Sequence, residues 1–228
     1  MQLIVNEEIM LKQISRDHAL ELHSLVESNL ELDLCYFCPG LKDTYKTLES
    51  TNFHIDDANS KFKEDGTPDL LIFYKGKLAG LISLSPLDKD QTKSEIGYWL
   101  GKDFEGKGLI SMAFPFILDY AKSKLMLSLV ELSTSIPNLR SQNLPEKFGF
   151  SKVKIIPNAE ELSDGPVDHI LWQYNFVDKT EQIKMNKQVI VQSYNPEWVN
   201  QFLELKKSYG LRLWILPFQL SMLVVHLF

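Results

Sequence analysis

"EIGYWLGKDFEGKGLISMAF", residues 95–114, is the stretch whose reading decides the fold. It opens as an alternating strand, passes through Gly106-Lys107-Gly108, and continues as a mostly apolar run of helical length. Two glycines let the backbone turn sharply so that successive amides converge. The helix that follows adds unpaired N–H groups and the positive end of its dipole. Such a strand–loop–helix suits a phosphate or pyrophosphate. It matches neither G-x-x-x-x-G-K-[ST] nor G-x-G-x-x-G. Taken alone, the triplet reads more readily as a tight strand-to-helix turn.

The residues on either side supply a frame. Upstream, "IMLKQI" (9–14) predicts a first strand, and Ser15 a helix start, with Ala19, Leu22, Leu25 and Val26 on one face through about Leu30. A weaker helical pattern covers 41–63, with Leu41, Tyr45 and Leu48 as its stripe. "DLLIFY" and "LAGLISL", joined by Lys75-Gly76-Lys77, read as a hairpin. Downstream of the loop come a helix over about 109–125, a strand over 129–134, a helix from near Asn138, and strands near 150–156 and 168–176. This order predicts an α+β protein, an α/β sandwich with a mixed, largely antiparallel sheet.

Composition narrows the function classes. With 228 residues, 44% hydrophobic and 24% charged, the chain reads as a globular protein with one good core and room for a small appendage. A net charge of -6 argues against a nucleic-acid scaffold and is compatible with a cationic substrate. The two cysteines, Cys35 and Cys38, form a lone C-x-x-C without a second pair at metal spacing, and read as reduced thiols rather than a zinc or redox site. Neither a secretory leader nor a convincing membrane span is predicted; the apolar end, residues 211–228, is interrupted by Arg212, Pro217, Gln219 and His226. No metal and no membrane partner are expected, and a reducing cytoplasm is the expected compartment.

A second motif changes the weight of the first. "NLRSQNLPEKFGF" (138–150) begins with Asn138, a strong N-cap, places Ser141 at the third helical position, and ends with Gly149 as a helix stop before Phe150. Together, Glu95–Leu100, Glu105–Gly108 and Asn138–Phe150 resemble the GNAT superfamily of acyl-CoA-dependent N-acetyltransferases. The likeness is strongest to its ribosomal-protein N-terminal acetyltransferase (RimJ/RimL-like) branch and covers about residues 8–178.

The resemblance implies the family's acyl-CoA N-acyltransferase fold and acetyl-CoA as co-substrate. It implies that Glu105, Gly106, Lys107, Gly108, Ile110 and Ser111 cradle the pyrophosphate, and that the backbone near Trp99 and Leu100 holds the thioester. Asn138 would order the cofactor arm, and Ser141 would donate a proton to the departing sulfur. Glu95, sharing a strand face with Gly97 and Trp99, is the candidate base. Packing and capping remain the alternative roles for these side chains. The resemblance departs at Glu105, where Gln or Arg is usual, at Ile110, where Ala or Gly is common, and at Pro115 and Pro145 inside helices.

The expected reaction is acetyl transfer to a primary amine, with a protein N-terminal amine as the first choice. A polyamine or aminoglycoside is the alternative within enzymes, and a non-catalytic acyl-CoA-binding module the alternative outside them. A homodimer is left open. After residue 178, a polar linker (179–187) leads to "VIVQSYNPEWVNQFLELKKSYG", which resembles the start of a GrpB-like domain; 188–228 is expected to be a truncated fragment with an apolar tail.

Overall fold

The computed structural model describes residues 1–30 and 37–176, and the description is confined to them. Cys35, the linker, the GrpB-like segment and the apolar tail lie outside the described residues. The compact unit that contains the motifs runs Met1–Phe176.

Its strands are β1 (Gln2–Ile4), β2 (Ile9–Gln13), β3 (Asp69–Tyr74), β4 (Lys77–Leu84), β5 (Lys93–Leu100), β6 (Leu129–Ser135), β7 (Ser151–Leu162) and β8 (Gly165–Asn175). They form one sheet in the order β1-β2-β3-β4-β5-β6-β8-β7. Neighbours run antiparallel except β5 and β6, which are parallel. The helices are α1 (Ala19–Glu27), α2 (Gly40–Thr44), α3 (Leu48–Glu64), α4 (Leu109–Ser123) and α5 (Leu139–Lys147). This is the α+β arrangement, with a mixed, largely antiparallel sheet, that the sequence predicts.

Several local signals act where the residues place them. Lys75 and Gly76 both take positive φ (50° and 77°), so the β3–β4 hairpin closes on two residues, with Tyr74 opposite Lys77. The weak helical region at 41–63 is two helices, because Thr47 and Ser50 form a reciprocal capping box that starts α3 afresh. Ser15 does not cap α1. Its hydroxyl bonds His18 Nδ1 instead, a single 3-10 turn intervenes, and α1 begins at Ala19. Strand β7 extends past the expected 156 to Leu162, pairing as a long hairpin with β8.

The sheet buries a core on each face. One holds Leu22, Val26, Ile55, Tyr45 and Trp99, beneath α1 and α3. The other holds Phe114, Ile117, Val130, Leu144, Phe150 and Trp172, beneath α4 and α5. Phe114 is fully buried, with its ring centroid 4.8 Å from that of Phe148 and 5.8 Å from that of Phe150. This cluster ties α4 to the end of α5 and the start of β7, and so holds the two motif helices on one side of the sheet.

Both interior prolines are accommodated without ending a helix. Pro115 lies on the exposed face of α4, where the carbonyl it leaves unbonded can take water. Pro145 lies buried in α5. Its own carbonyl accepts from Phe150 N at 2.9 Å, while Gly149 N donates to Glu146 O at 3.2 Å and Gly149 takes φ 78°. That pair of bonds is a Schellman ending, so "EKFGF" stops the helix in the way its glycine predicts.

Candidate active site

The parallel pair β5–β6 is joined only at its base. Lys93, Ser94 and Glu95 pair with Leu129, Val130 and Glu131, and beyond Glu95 the two strands part. On the other side β5 stays paired with β4 through Leu100. Ser85 N donates to Glu95 O and Gly101 N to Ala79 O, both at 2.9 Å. By the alternation of an antiparallel ladder, the backbone groups of Glu95, Gly97 and Trp99 then face β4. Those of Ile96, Tyr98 and Leu100 face the opening. An extended ligand laid beside β5 would meet unsatisfied N–H and C=O groups, as an added strand does.

The loop closes one end of this opening. Gly106 and Gly108 take φ 71° and 72°, in the left-handed region where a Cβ costs about 1–2 kcal/mol. Gly108 is the N-cap of α4 and offers no side-chain acceptor; the first helical N–H to find a carbonyl is Met112, on Gly108. The amides from Gly106 to Ser111 have no protein acceptor among the described residues. No acidic residue sits in the first turn of α4. A loop of free amides at a helix start fits a pyrophosphate. Lys107 donates to the carbonyl of Asp103, which holds it beside the loop. Ile110, larger than the common Ala or Gly, turns into the core at 9% exposure and leaves the amide row open.

Glu105 does not stand as a lone carboxylate beside that loop. Arg140 of α5 bonds it through Nη1, and Lys102 Nζ lies 3.4 Å from the same oxygen. The departure from Gln or Arg at this position is thus balanced by two cations.

Across the opening, Asn138 caps α5: its Oδ1 accepts from Ser141 N at 3.2 Å. Ser141 lines the cleft, and its side chain meets the hydroxyl of Tyr98. Its carbonyl accepts from Tyr98 Oη at 3.3 Å. Tyr98 itself is enclosed, and burial pushes its hydroxyl up to about 12, so it remains a donor.

The face of the sheet toward α1 and α3 carries the other half of the site. Trp99 is buried there at 8% exposure, its ring centroid 6.3 Å from that of Tyr45. Its side chain packs the cleft floor, while Leu100 presents backbone to the opening. Gly97 leaves that floor without a side chain between Trp99 and Glu95. Glu95 keeps contact with the cleft's water, yet the surrounding walls desolvate it enough to raise its carboxyl above the ordinary value. Glu131 beside it adds to the rise, while His169, the backbone N–H of Ser133 and Lys93 oppose it.

The structure brings three residues to Glu95 that the sequence did not single out for chemistry. Ser133 Oγ and His169 Nδ1 share a hydrogen bond of 2.9 Å, and Glu160 Oε2 lies 3.3 Å from His169 Nε2, off hydrogen-bond geometry. Asp69 stands on the far side of the same cleft, 3.4 Å from His54. The sequence signal for them was weak. His169 lies among apolar residues that suggest packing, and Glu160 falls beyond the expected end of its strand, after an irregularity between Ile156 and Glu160.

The cleft encloses about 700 Å³, from Tyr45 and Trp99 at one wall to Ser141, Glu160 and His169 at the other. That is ample for the thioester arm and a small amine. No group of three or more potential metal ligands occurs among the described residues. Nor is any helix there long and apolar enough to cross a membrane.

Comparison with known proteins agrees with this geometry. The acetyltransferase (GNAT) domain family matches residues 8–151. A Bacillus subtilis protein that carries the provisional name ribosomal N-acetyltransferase YdaF is 33% identical over 150 residues, spanning 64% of this chain and 79% of that one. The Escherichia coli ribosomal-protein-serine acetyltransferase is 25% identical over 166 residues, spanning 70% and 88%. Among solved structures, the microcin C7 self-immunity acetyltransferase MccE, in complex with acetyl-CoA and AMP, superimposes with a TM-score of 0.67 at 25% identity, covering 75% of this chain and 94% of that one. The match spans most of the compact unit and includes both motifs: this chain belongs to the GNAT family of acetyltransferases.

Proposed function

We propose that the protein transfers an acetyl group from acetyl-CoA to a protein N-terminal amine, of the kind its ribosomal-protein relatives are named for. The observation that carries this reading is the opening between β5 and β6. Free amides stand at one end of it, Ser141 on one wall, and Glu95 at the base where an acceptor can enter.

Acetyl-CoA, when bound, supplies an electrophilic thioester carbonyl. The amides of Gly106 to Ser111 hold phosphate, and the backbone of Tyr98 and Leu100 aligns the arm along β5. Glu95 takes a proton from the incoming ammonium, directly or through water. Its raised basicity suits it to that task better than an ordinary exposed carboxylate. The N–H groups of Tyr98 and Leu100 face the place where negative charge develops on the carbonyl oxygen. Ser141 Oγ donates its proton toward the departing sulfur, and Asn138 holds that serine by fixing the first turn of α5.

A second reading is favoured by one further observation. Among the described residues, Asp69, Glu95 and Glu160 line the cleft, and neither lysine nor arginine does. Such a wall attracts polycations, so a polyamine is the alternative acceptor. Mass spectrometry of reactions containing acetyl-CoA with equimolar basic N-terminal peptide, spermidine and an aminoglycoside separates the readings. The peptide is expected to carry the acetyl group first. Preferential acetylation of spermidine would transfer the assignment to small amines.

A further inference from the structure

The Glu105–Arg140 pair lies in a position that fold stability does not explain. Glu105 immediately precedes the amide loop, on the wall that follows β5; Arg140 sits between Asn138 and Ser141, on the wall that follows β6. The pair therefore spans the opening at the end where the strands have parted.

Arg140 is also badly placed for helix formation. It stands in the first turn of α5, where the dipole favours an anion, and that turn contains no acidic residue. Its side chain is 71% exposed, so packing does not hold it either. Lys102 reaches the same Glu105 oxygen. The starts of α4 and α5 likewise present positive ends to this region. Glu105 is thus an internal anion surrounded by cationic groups, beside an amide loop that fits a pyrophosphate.

We propose that Arg140 is a phosphate-binding residue of the cofactor site and that Glu105 occupies it until the cofactor arrives. On binding, the guanidinium would exchange its one-nitrogen contact with the Glu105 carboxylate for a bidentate contact with two oxygens of a phosphate. Glu105 acts as a competing internal ligand. It lowers affinity for the cofactor and speeds departure of the spent thiol. The proposal rests on the opening being the cofactor cleft.

Calorimetric titration of the full chain with CoA and with pantetheine, which lacks the phosphates, tests it. Glu105→Gln is expected to tighten CoA about three- to tenfold by releasing Arg140 and removing a like charge. Arg140→Met, which keeps the aliphatic stem, is expected to weaken CoA about tenfold, on the scale of one charge-assisted contact. Neither change should move pantetheine affinity by more than about twofold. In the Arg140→Met background the gain from Glu105→Gln should shrink, because the two residues act on one another. Weaker or unchanged CoA binding by Glu105→Gln would overturn the proposal and make the pair a structural staple. Equal losses for CoA and pantetheine in Arg140→Met would do the same. A wild-type chain that binds no CoA would instead reject the cleft assignment, and the proposal with it.

Discussion

The hydroxyl of Tyr98 donates to the carbonyl of Ser141 because Pro145 cannot. In a regular helix the N–H of residue 145 would bond the carbonyl of residue 141, and proline has none. The vacated acceptor faces β5, and Tyr98 reaches it at 3.3 Å. A residue that looks like a helix breaker thereby ties the helix carrying Ser141 to the strand that borders the cleft.

Tyr98→Phe removes that bond and leaves the Ser141 carbonyl unpaired. A loss of about 1 kcal/mol is expected, a fall in Tm of about 2–4 °C. In a Pro145→Ala background the helix can satisfy the carbonyl itself, so the same Tyr98→Phe change should cost less. Thermal denaturation of the four variants of this cycle measures the difference.

Gly80 fixes the distance between β4 and β5. A Cβ there would stand 2.2 Å from Trp99 O and 2.8 Å from Leu100 Cα, both backbone atoms that a rotamer change cannot move. Gly80→Ala must push β4 from β5 beside the very residues that face the cleft. Overpacking of this kind costs about 1–3 kcal/mol, and CoA affinity should fall with it. Denaturant unfolding and a CoA titration on the same preparation check both.

Glu95 sets a pH dependence whose sign follows from its raised carboxyl. The folded protein keeps a proton on Glu95 at a pH where the unfolded chain has released it. Its contribution to stability is present in full below the ordinary carboxylate range and is lost as pH rises through the folded value. Glu95→Gln should therefore match the wild type in acid and be the more stable protein at neutral pH. For activity the change runs the other way. The wild-type kcat/KM should fall on acidification with a midpoint above the ordinary glutamate value. Glu95→Gln should lose about 10²-fold at neutral pH and lose that acid limb. Paired pH profiles of Tm and kcat/KM test the assignment.

Much of this frame was legible because its signals are local. A two-residue turn at Lys75-Gly76, the N-cap at Asn138, the stop at Gly149 and the glycine loop each rest on chemistry within a few residues. The β3–β4 hairpin followed from its apolar runs and turn residues. Other features needed the third dimension. Glu160 and His169 belong to the cleft only because the β7–β8 hairpin folds beside β6, and the role of Pro145 depends on a tyrosine more than forty residues earlier in the chain. The partner of Glu105 was equally hidden: Arg140 lies 35 positions away and meets it only across the opening.

The central claim is that Ser141 serves acetyl transfer within a cleft that holds CoA. Release of free CoA thiol from acetyl-CoA, followed in the presence of the preferred amine for the wild type and Ser141→Ala, tests it most directly, with CoA affinity measured alongside. Ser141→Ala is expected to bind CoA as the wild type does and to turn over about 10²-fold more slowly, the scale of a lost general acid. Equal turnover by the two proteins would contradict the role given to Ser141. CoA binding without amine-dependent thiol release, even in the wild type, would contradict the assignment as an enzyme.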